Sequence, residues 1–163
     1  MDRMQHFPSF SIVYGDIYIK LDLSRFEEQY RKAQYELDGN VMNSMIPFMP
    51  HYNGTFIQNT RAHSAAIQGT GRVYAAYGQQ GRYLYMGKTM VDEETGSAWA
   101  KQGNKKVLVS QYGGKTNAKE NLSYTHTHNP AAQAHWFDAA KKADGKSWIR
   151  QVKATAGGGK RGG

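Results

Sequence analysis

The chain has 163 residues, 39% apolar side chains, a formal net charge of +8 and no cysteine. That length suits one domain with a modest core, since the apolar share lies below the ~45–50% usual for globular chains. The missing thiols exclude disulfides, thiolate zinc sites and cysteine nucleophiles. No apolar run approaches the ~18 residues of a membrane helix, and no apolar segment follows the first residues, so neither a membrane protein nor a signal peptide is expected.

The charge is uneven. Residues 1–100 carry nine Lys/Arg against ten Asp/Glu, and residues 101–163 carry twelve against three. Such asymmetry fits either an acidic partner for the C-terminal part, nucleic acid or protein, or a solvated basic face that keeps the chain soluble.

In chain order, Phe10, Ile12, Tyr14, Ile17, Ile19, Leu21 and Leu23 alternate around Gly15-Asp16, which predicts two strands joined by a tight turn, with type II′ suiting Gly-Asp. Ser24-Arg25-Phe26-Glu27 reads as a capping box opening a long helix. Phe26, Tyr30, Ala33, Leu37, Val41 and Met45 share its apolar face, Gly39 weakens it, and Pro47 and Pro50 end it near Met45. A loop over 47–55 carries the turn signal Asn53-Gly54, after which Thr55 is expected to cap a short helix through about Ser64.

The best strand candidates are 72–77 and 106–110, while 83–86 suits a strand or a helical turn equally. Residues 92–103 read as a polar loop, and 111–120, rich in Gly and Lys, as a mobile one. Asn129-Pro130 is expected to open a last helix, with proline at its first position. Its apolar stripe is Trp136, Phe137, Ala140, Trp148, Ile149 and Val152, with a break expected at Asp144-Gly145. The result is a single α+β domain over 1–155 and a flexible basic glycine-rich tail over 156–163.

Little in the chain points to chemistry. His126, His128 and His135 are the candidate metal ligands, but no further ligand stands at a familiar spacing. Gly69-Thr70-Gly71 precedes a strand candidate, whereas a phosphate-cradling loop opens a helix. Asp92-Glu93-Glu94 reads as a solvated acidic run rather than an acid–base pair. No Gly-x-Ser-x-Gly elbow is present. The expectation is no enzyme, no metal and no cofactor, with a metal hydrolase on His126 and His128 as a remote third reading. Basic residues do interleave with aromatics at Arg72-Val73-Tyr74, Arg82-Tyr83-Leu84-Tyr85 and Trp148-Ile149-Arg150, a combination used both by nucleic-acid sites and by protein interfaces.

An ordered set of blocks then stands out. These are residues 33–38 (Ala-Gln-Tyr-Glu-Leu-Asp), 45–50 (Met-Ile-Pro-Phe-Met-Pro), 53–57 (Asn-Gly-Thr-Phe-Ile) and 81–88 (Gly-Arg-Tyr-Leu-Tyr-Met-Gly-Lys). Val91-Asp92, residues 95–99 (Thr-Gly-Ser-Ala-Trp), residues 135–141 (His-Trp-Phe-Asp-Ala-Ala-Lys) and Lys146 with Trp148 complete it. Over about residues 10–155 the chain resembles the minor capsid proteins of tailed bacteriophages of Gram-positive hosts, and more distantly the neck or tail-completion proteins of long-tailed phages.

The resemblance implies an α+β fold with a long N-terminal helix, a small antiparallel sheet and a C-terminal helix packed on the sheet. The N-terminal hairpin and the glycine-basic tail depart from it. It implies a structural virion protein, made in the host cytoplasm and placed at the head–tail junction as a ring of copies. Its expected partners are neighbouring head-completion and tail-terminator or tail-tube proteins, with DNA in the channel and no membrane. On that reading Arg72, Tyr74, Tyr77, Arg82, Tyr83, Tyr85 and Trp99 are the candidate interface residues. Lys101, Lys105, Lys106, Lys115, Lys160 and Arg161 are the candidate basic residues facing DNA or a partner. The alternative is a small basic nucleic-acid-binding protein.

Overall fold

The computed structural model describes residues 10–14, 17–21 and 24–157, with side chains from residue 26 onward. Strands β1 (Phe10–Tyr14) and β2 (Ile17–Leu21) pair antiparallel with Tyr14 opposite Ile17, the register of a two-residue connection. The expected turn residues Gly15 and Asp16 lie outside the described residues, as do the side chain of Ser24 in the expected capping box and the tail from residue 158.

Helix α1 (Ser24–Met45) runs through Gly39 without interruption and passes into a 3₁₀ turn, Ile46–Phe48, where Pro47 forbids further α-helical hydrogen bonding. The last helix, α4 (Trp136–Ala156), lies antiparallel along it. Three cross-links fix the register: Trp148 Nε1 donates to Ser44 Oγ at 3.1 Å, Asn40 Nδ2 to Gln151 Oε1 at 2.5 Å, and Thr155 Oγ1 to Glu36 Oε2 at 2.6 Å. Because α4 ends at Ala156, near Glu36, it stops short of the first turns of α1. Phe26 and Tyr30, expected on the buried face, are accordingly exposed.

Three expectations about the helices are corrected. Asn129-Pro130 does not open α4, which begins at Trp136. Asn129 instead donates its side-chain amide to Ile46 O (2.8 Å) and Met49 O (2.9 Å), tying the approach to α4 against the end of α1. Asp144-Gly145 does not break α4, because packing along α1 outweighs the ~1 kcal/mol preference against a helical glycine. Thr55 does not cap α2 (Thr55–Ala66), which runs two residues past Ser64; the cap is Gly54 in the left-handed region, and Asn53 Oδ1 accepts the Thr55 N–H at 3.1 Å.

The core sits between these helices. Met42, Met45 and Met49 meet Ile57 of α2 and Trp136, Ala140 and Trp148 of α4. Trp136 is fully buried and donates its indole N–H to Ala75 O at 2.7 Å, which satisfies the polar edge of the ring. Of the expected stripe on α4, Ile149 is turned out, being 58% exposed.

Residues 72–77, expected as a strand, have no regular structure, whereas 81–86 forms the short helix α3 (Gly81–Met86). The second sheet has two strands, β3 (Met90–Asp92) and β4 (Lys106–Leu108), paired antiparallel with Val91 opposite Val107. Residues 109–111, the end of the expected 106–110 strand and the residue after it, turn into a 3₁₀ segment. The fold is thus α+β, with a long N-terminal helix, a small antiparallel sheet and a C-terminal helix, and α4 docks chiefly on α1.

Candidate interaction site

Three surface features collect the candidate residues, and each is held by a different physical device. The first is an aromatic patch beside α2. Thr60 and Ser64, four residues apart, are buried on the same face of α2 and carry the irregular 72–77 segment on their hydroxyls. Tyr77 N–H donates to Thr60 Oγ1 (3.1 Å), Tyr74 N–H donates to Ser64 Oγ (3.1 Å), and Ser64 Oγ donates to Tyr74 O (3.3 Å). The backbone groups that a strand would have paired are satisfied by side chains instead.

This hanging arrangement lays Tyr77 flat on His63, with ring centroids 3.4 Å apart, and sets Tyr74 edge-on to Tyr77 at 5.3 Å. Tyr74 and Tyr77 remain 39% and 37% exposed, and Arg72 is exposed beside them in sequence. His63 was not among the sequence candidates. The signal for it is its place on α2 one residue before Ser64, visible only once the 72–77 segment is docked.

Just ahead of this segment, Gly69 and Gly71, which the sequence discounts as a phosphate loop, do cradle an anion, and it belongs to the chain itself. Asp38 is buried on α1, and its Oδ2 accepts N–H bonds from Gly69 (2.7 Å) and Gly71 (3.0 Å), while Gln34 Nε2 donates to Oδ1 (2.7 Å). Both glycines have positive φ, 93° and 78°, which turns their amides toward one oxygen in the manner of a backbone nest.

The second feature is the β3–β4 connection. Asp92, expected in a solvated acidic run, is fully buried. Its carboxylate accepts from Thr95 N (2.8 Å), Thr95 Oγ1 (3.0 Å), Glu94 N (3.0 Å), Lys101 N (3.2 Å) and Asn104 Nδ2 (3.1 Å to Oδ2). The Thr95 amide is the largest influence holding this carboxyl well below the usual carboxylate range. Burial opposes it, and the Asn104, Thr95 hydroxyl and Glu94 bonds add to it.

Glu93 and Glu94 are turned onto the same loop, accepting from Lys105 N (3.1 Å) and from Asn104 Nδ2 (3.1 Å). At Gly96, φ 68°, a Cβ would stand 2.5 Å from Tyr112 Cε1, so the loop closes on that ring only with glycine there. On this pinned loop Trp99 is 85% exposed, with its N–H on Ser97 Oγ at 3.1 Å.

Beneath the loop lies a cleft of about 790 Å³ between α3 and the second sheet, lined in part by Tyr83, Leu84, Met90, Leu122, Lys105 and Lys106. It brings together Tyr83, Lys105 and Lys106 of the candidates. Lys106 Nζ donates to Ala98 O (2.8 Å), and neighbouring Lys88 is ion-paired with Glu120 at 3.1 Å. Arg82, Lys101 and Lys115 are exposed and do not line this cleft, and Lys160 and Arg161 lie outside the described residues.

Tyr85 is an internal packing residue. Its ring stands edge-on to Trp136 at 4.9 Å and to His135 at 5.2 Å, and burial, with the Asp138 carboxylate adding to it, pushes its phenol up. The three candidate histidines face different neighbours: His126 Nδ1 meets Pro130 O (3.0 Å), the His128 ring lies 4.6 Å from His51, and His135 contacts Tyr85. Among the described residues no group of three or more His, Cys, Asp or Glu is placed to hold a metal ion, and no helix is long and apolar enough to cross a membrane.

The third feature is the outer face of α4, where Lys142, Lys146, Arg150 and Lys153 all stand exposed. Their steps of four, four and three put them on one side of a helix, a periodicity legible in the sequence but hidden there by the expected break at Asp144-Gly145. Tyr52, 87% exposed just before α2, is a further contact candidate outside the residues the sequence marks. Compared with protein-family models, curated proteins and solved structures, the chain matches none.

Proposed function

We propose that the chain is a structural subunit that acts by docking: a virion protein of the phage neck, one of several copies in a ring at the head–tail junction. The observation that supports this reading best is Trp99, held 85% exposed on a loop fixed through the buried Asp92. An aromatic side chain of ~150–250 Å² buried at ~25 cal/mol per Å² stabilises a contact by about 4–6 kcal/mol before the costs of association. Mounting it on a pinned loop reduces the ordering entropy that docking would otherwise cost.

A closed ring needs two different patches on each subunit. The Trp99 loop and the His63–Tyr74–Tyr77 stack belong to different elements and supply aromatic surface of the kind found at interface centres. In this reading the neighbours are further copies of the chain and head-completion and tail-terminator or tail-tube proteins.

The test is Trp99→Ala introduced into the virion. The expected outcome is heads that fill with DNA but fail to hold tails, and loss of ring-sized species in sedimentation when the purified protein is mixed with its neighbours. Tailed, infectious particles carrying Trp99→Ala, or wild-type particles lacking this chain altogether, would overturn the reading.

A further inference from the structure

We propose that the outer face of α4 is a binding site for the phosphate backbone of duplex nucleic acid, made by Lys142, Lys146, Arg150 and Lys153. At 3.6 residues per turn these four fall within an arc of about 80°, centred about 130° around the helix from the mean direction of the buried Trp136, Ala140 and Trp148. They span twelve residues, about 16 Å of helix axis, against a duplex that carries one charge per ~1.7 Å.

None of the four is ion-paired among the described residues; the pair found there joins Lys88 to Glu120. Two carboxylates share α4 with these cations, Asp138, exposed four residues before Lys142, and Asp144, half-buried. Glu36 accepts from Thr155 on the inner side, away from the four cations.

Two ordinary explanations do not cover this face. Cations near a helix C-terminus are favoured by the dipole, but that effect fades beyond the last turn and so accounts for Lys153, not for Lys142 or Lys146. Surface charge for solubility is normally interspersed in sign, whereas like charges three and four apart on one helix face repel and destabilise it. An anionic ligand relieves that repulsion. Phosphate fits better than an acidic protein surface, because lysine is depleted from protein interfaces, while phosphate contacts are made chiefly by Lys and Arg. The site is separate from Trp99 and the tyrosine stack, so it can fail while the docking reading stands, and the reverse.

The experiment is fluorescence anisotropy with the full chain and a mixed-sequence DNA duplex of about three helical turns, titrated with salt. Four phosphate contacts give a slope of log K against log salt of about −3.6, a loss of about 10²-fold in affinity from ~50 to ~200 mM salt. Lys142→Gln with Lys146→Gln should flatten the slope by about 2, with an unchanged circular dichroism spectrum, because both side chains are exposed. Lys101→Gln with Lys105→Gln should leave it unchanged. No duplex binding at ~50 mM salt, an unaltered slope in the α4 variant, or tighter binding of polyglutamate than of duplex would each overturn the proposal.

Discussion

The α1–α4 pair and the 87–124 region are built on opposite principles. The helical pair is held by apolar area: Met42, Met45, Trp136, Ala140 and Trp148 lie buried along an antiparallel seam, and its polar cross-links ride on that packing. In the 87–124 region Val91 is the buried apolar residue among those described, and its buried neighbour is the carboxylate Asp92. Hydrogen bonds to that carboxylate do the work that side-chain volume does in the helices. A seam of packed apolar groups tolerates any pH but not a void. A loop closed on a carboxylate tolerates local substitution of apolar groups but not loss of the negative charge.

The largest way to break this comparison is Trp136→Ala. It removes the centre of the helical core and leaves Ala75 O without its donor, and a loss of about 3–5 kcal/mol in chemical denaturation is expected. A loss below ~1 kcal/mol would mean that the helical pair is not held by this core. Next is Gly145→Ala, a gain of about 1 kcal/mol, because Gly145 is helical and an added Cβ meets only Lys141 Cγ at 3.6 Å, an ordinary contact. A destabilised variant would show that glycine serves a purpose in α4 beyond its backbone.

The smallest effect on the global melt is expected from Asp92→Asn. Amides of 93–105 should exchange rapidly at pH 7 while those of α1 and α4 keep their protection, as hydrogen exchange would reveal. In the wild type the folded Asp92 holds its proton more weakly than the unfolded chain does, so its contribution is fully present above the ordinary aspartate value of about 3.9 and is lost as pH falls below it. The same loop should therefore loosen in acid below about pH 4, and the Asn variant should lack that transition. Equal loss of protection in both regions would erase the distinction between them.

Legibility from sequence followed the same division. The hairpin, the long helix with its stop at Pro47 and the burial of Ala33 and Met45 on it rest on periodicity and proline chemistry, which are local, whereas Met42 joins the core outside the expected stripe. The 72–77 segment reads as a strand because Val73, Tyr74 and Tyr77 suit one, yet the Tyr74 and Tyr77 amides are claimed by Ser64 and Thr60 of α2, 10 and 17 residues upstream. Asp92 looks solvated beside Glu93 and Glu94, and only closure of the loop through Asn104 and Lys101 encloses it. Among the candidate contacts, Trp99 stands exposed and Tyr85 is half-buried, although both sit in similar runs of glycine and aromatics; the difference is that Trp136 packs on one of them.

By itself, then, the sequence determined the α+β class, the absence of thiol chemistry, the charge gradient and the stop of α1 before Pro47, because each follows from composition or from neighbours a few residues apart. The tertiary structure decided which carboxylates are buried and which glycines cradle them. It also decided which aromatics become core and which cations share the open side of α4, because each of those outcomes depends on partners far away in the chain.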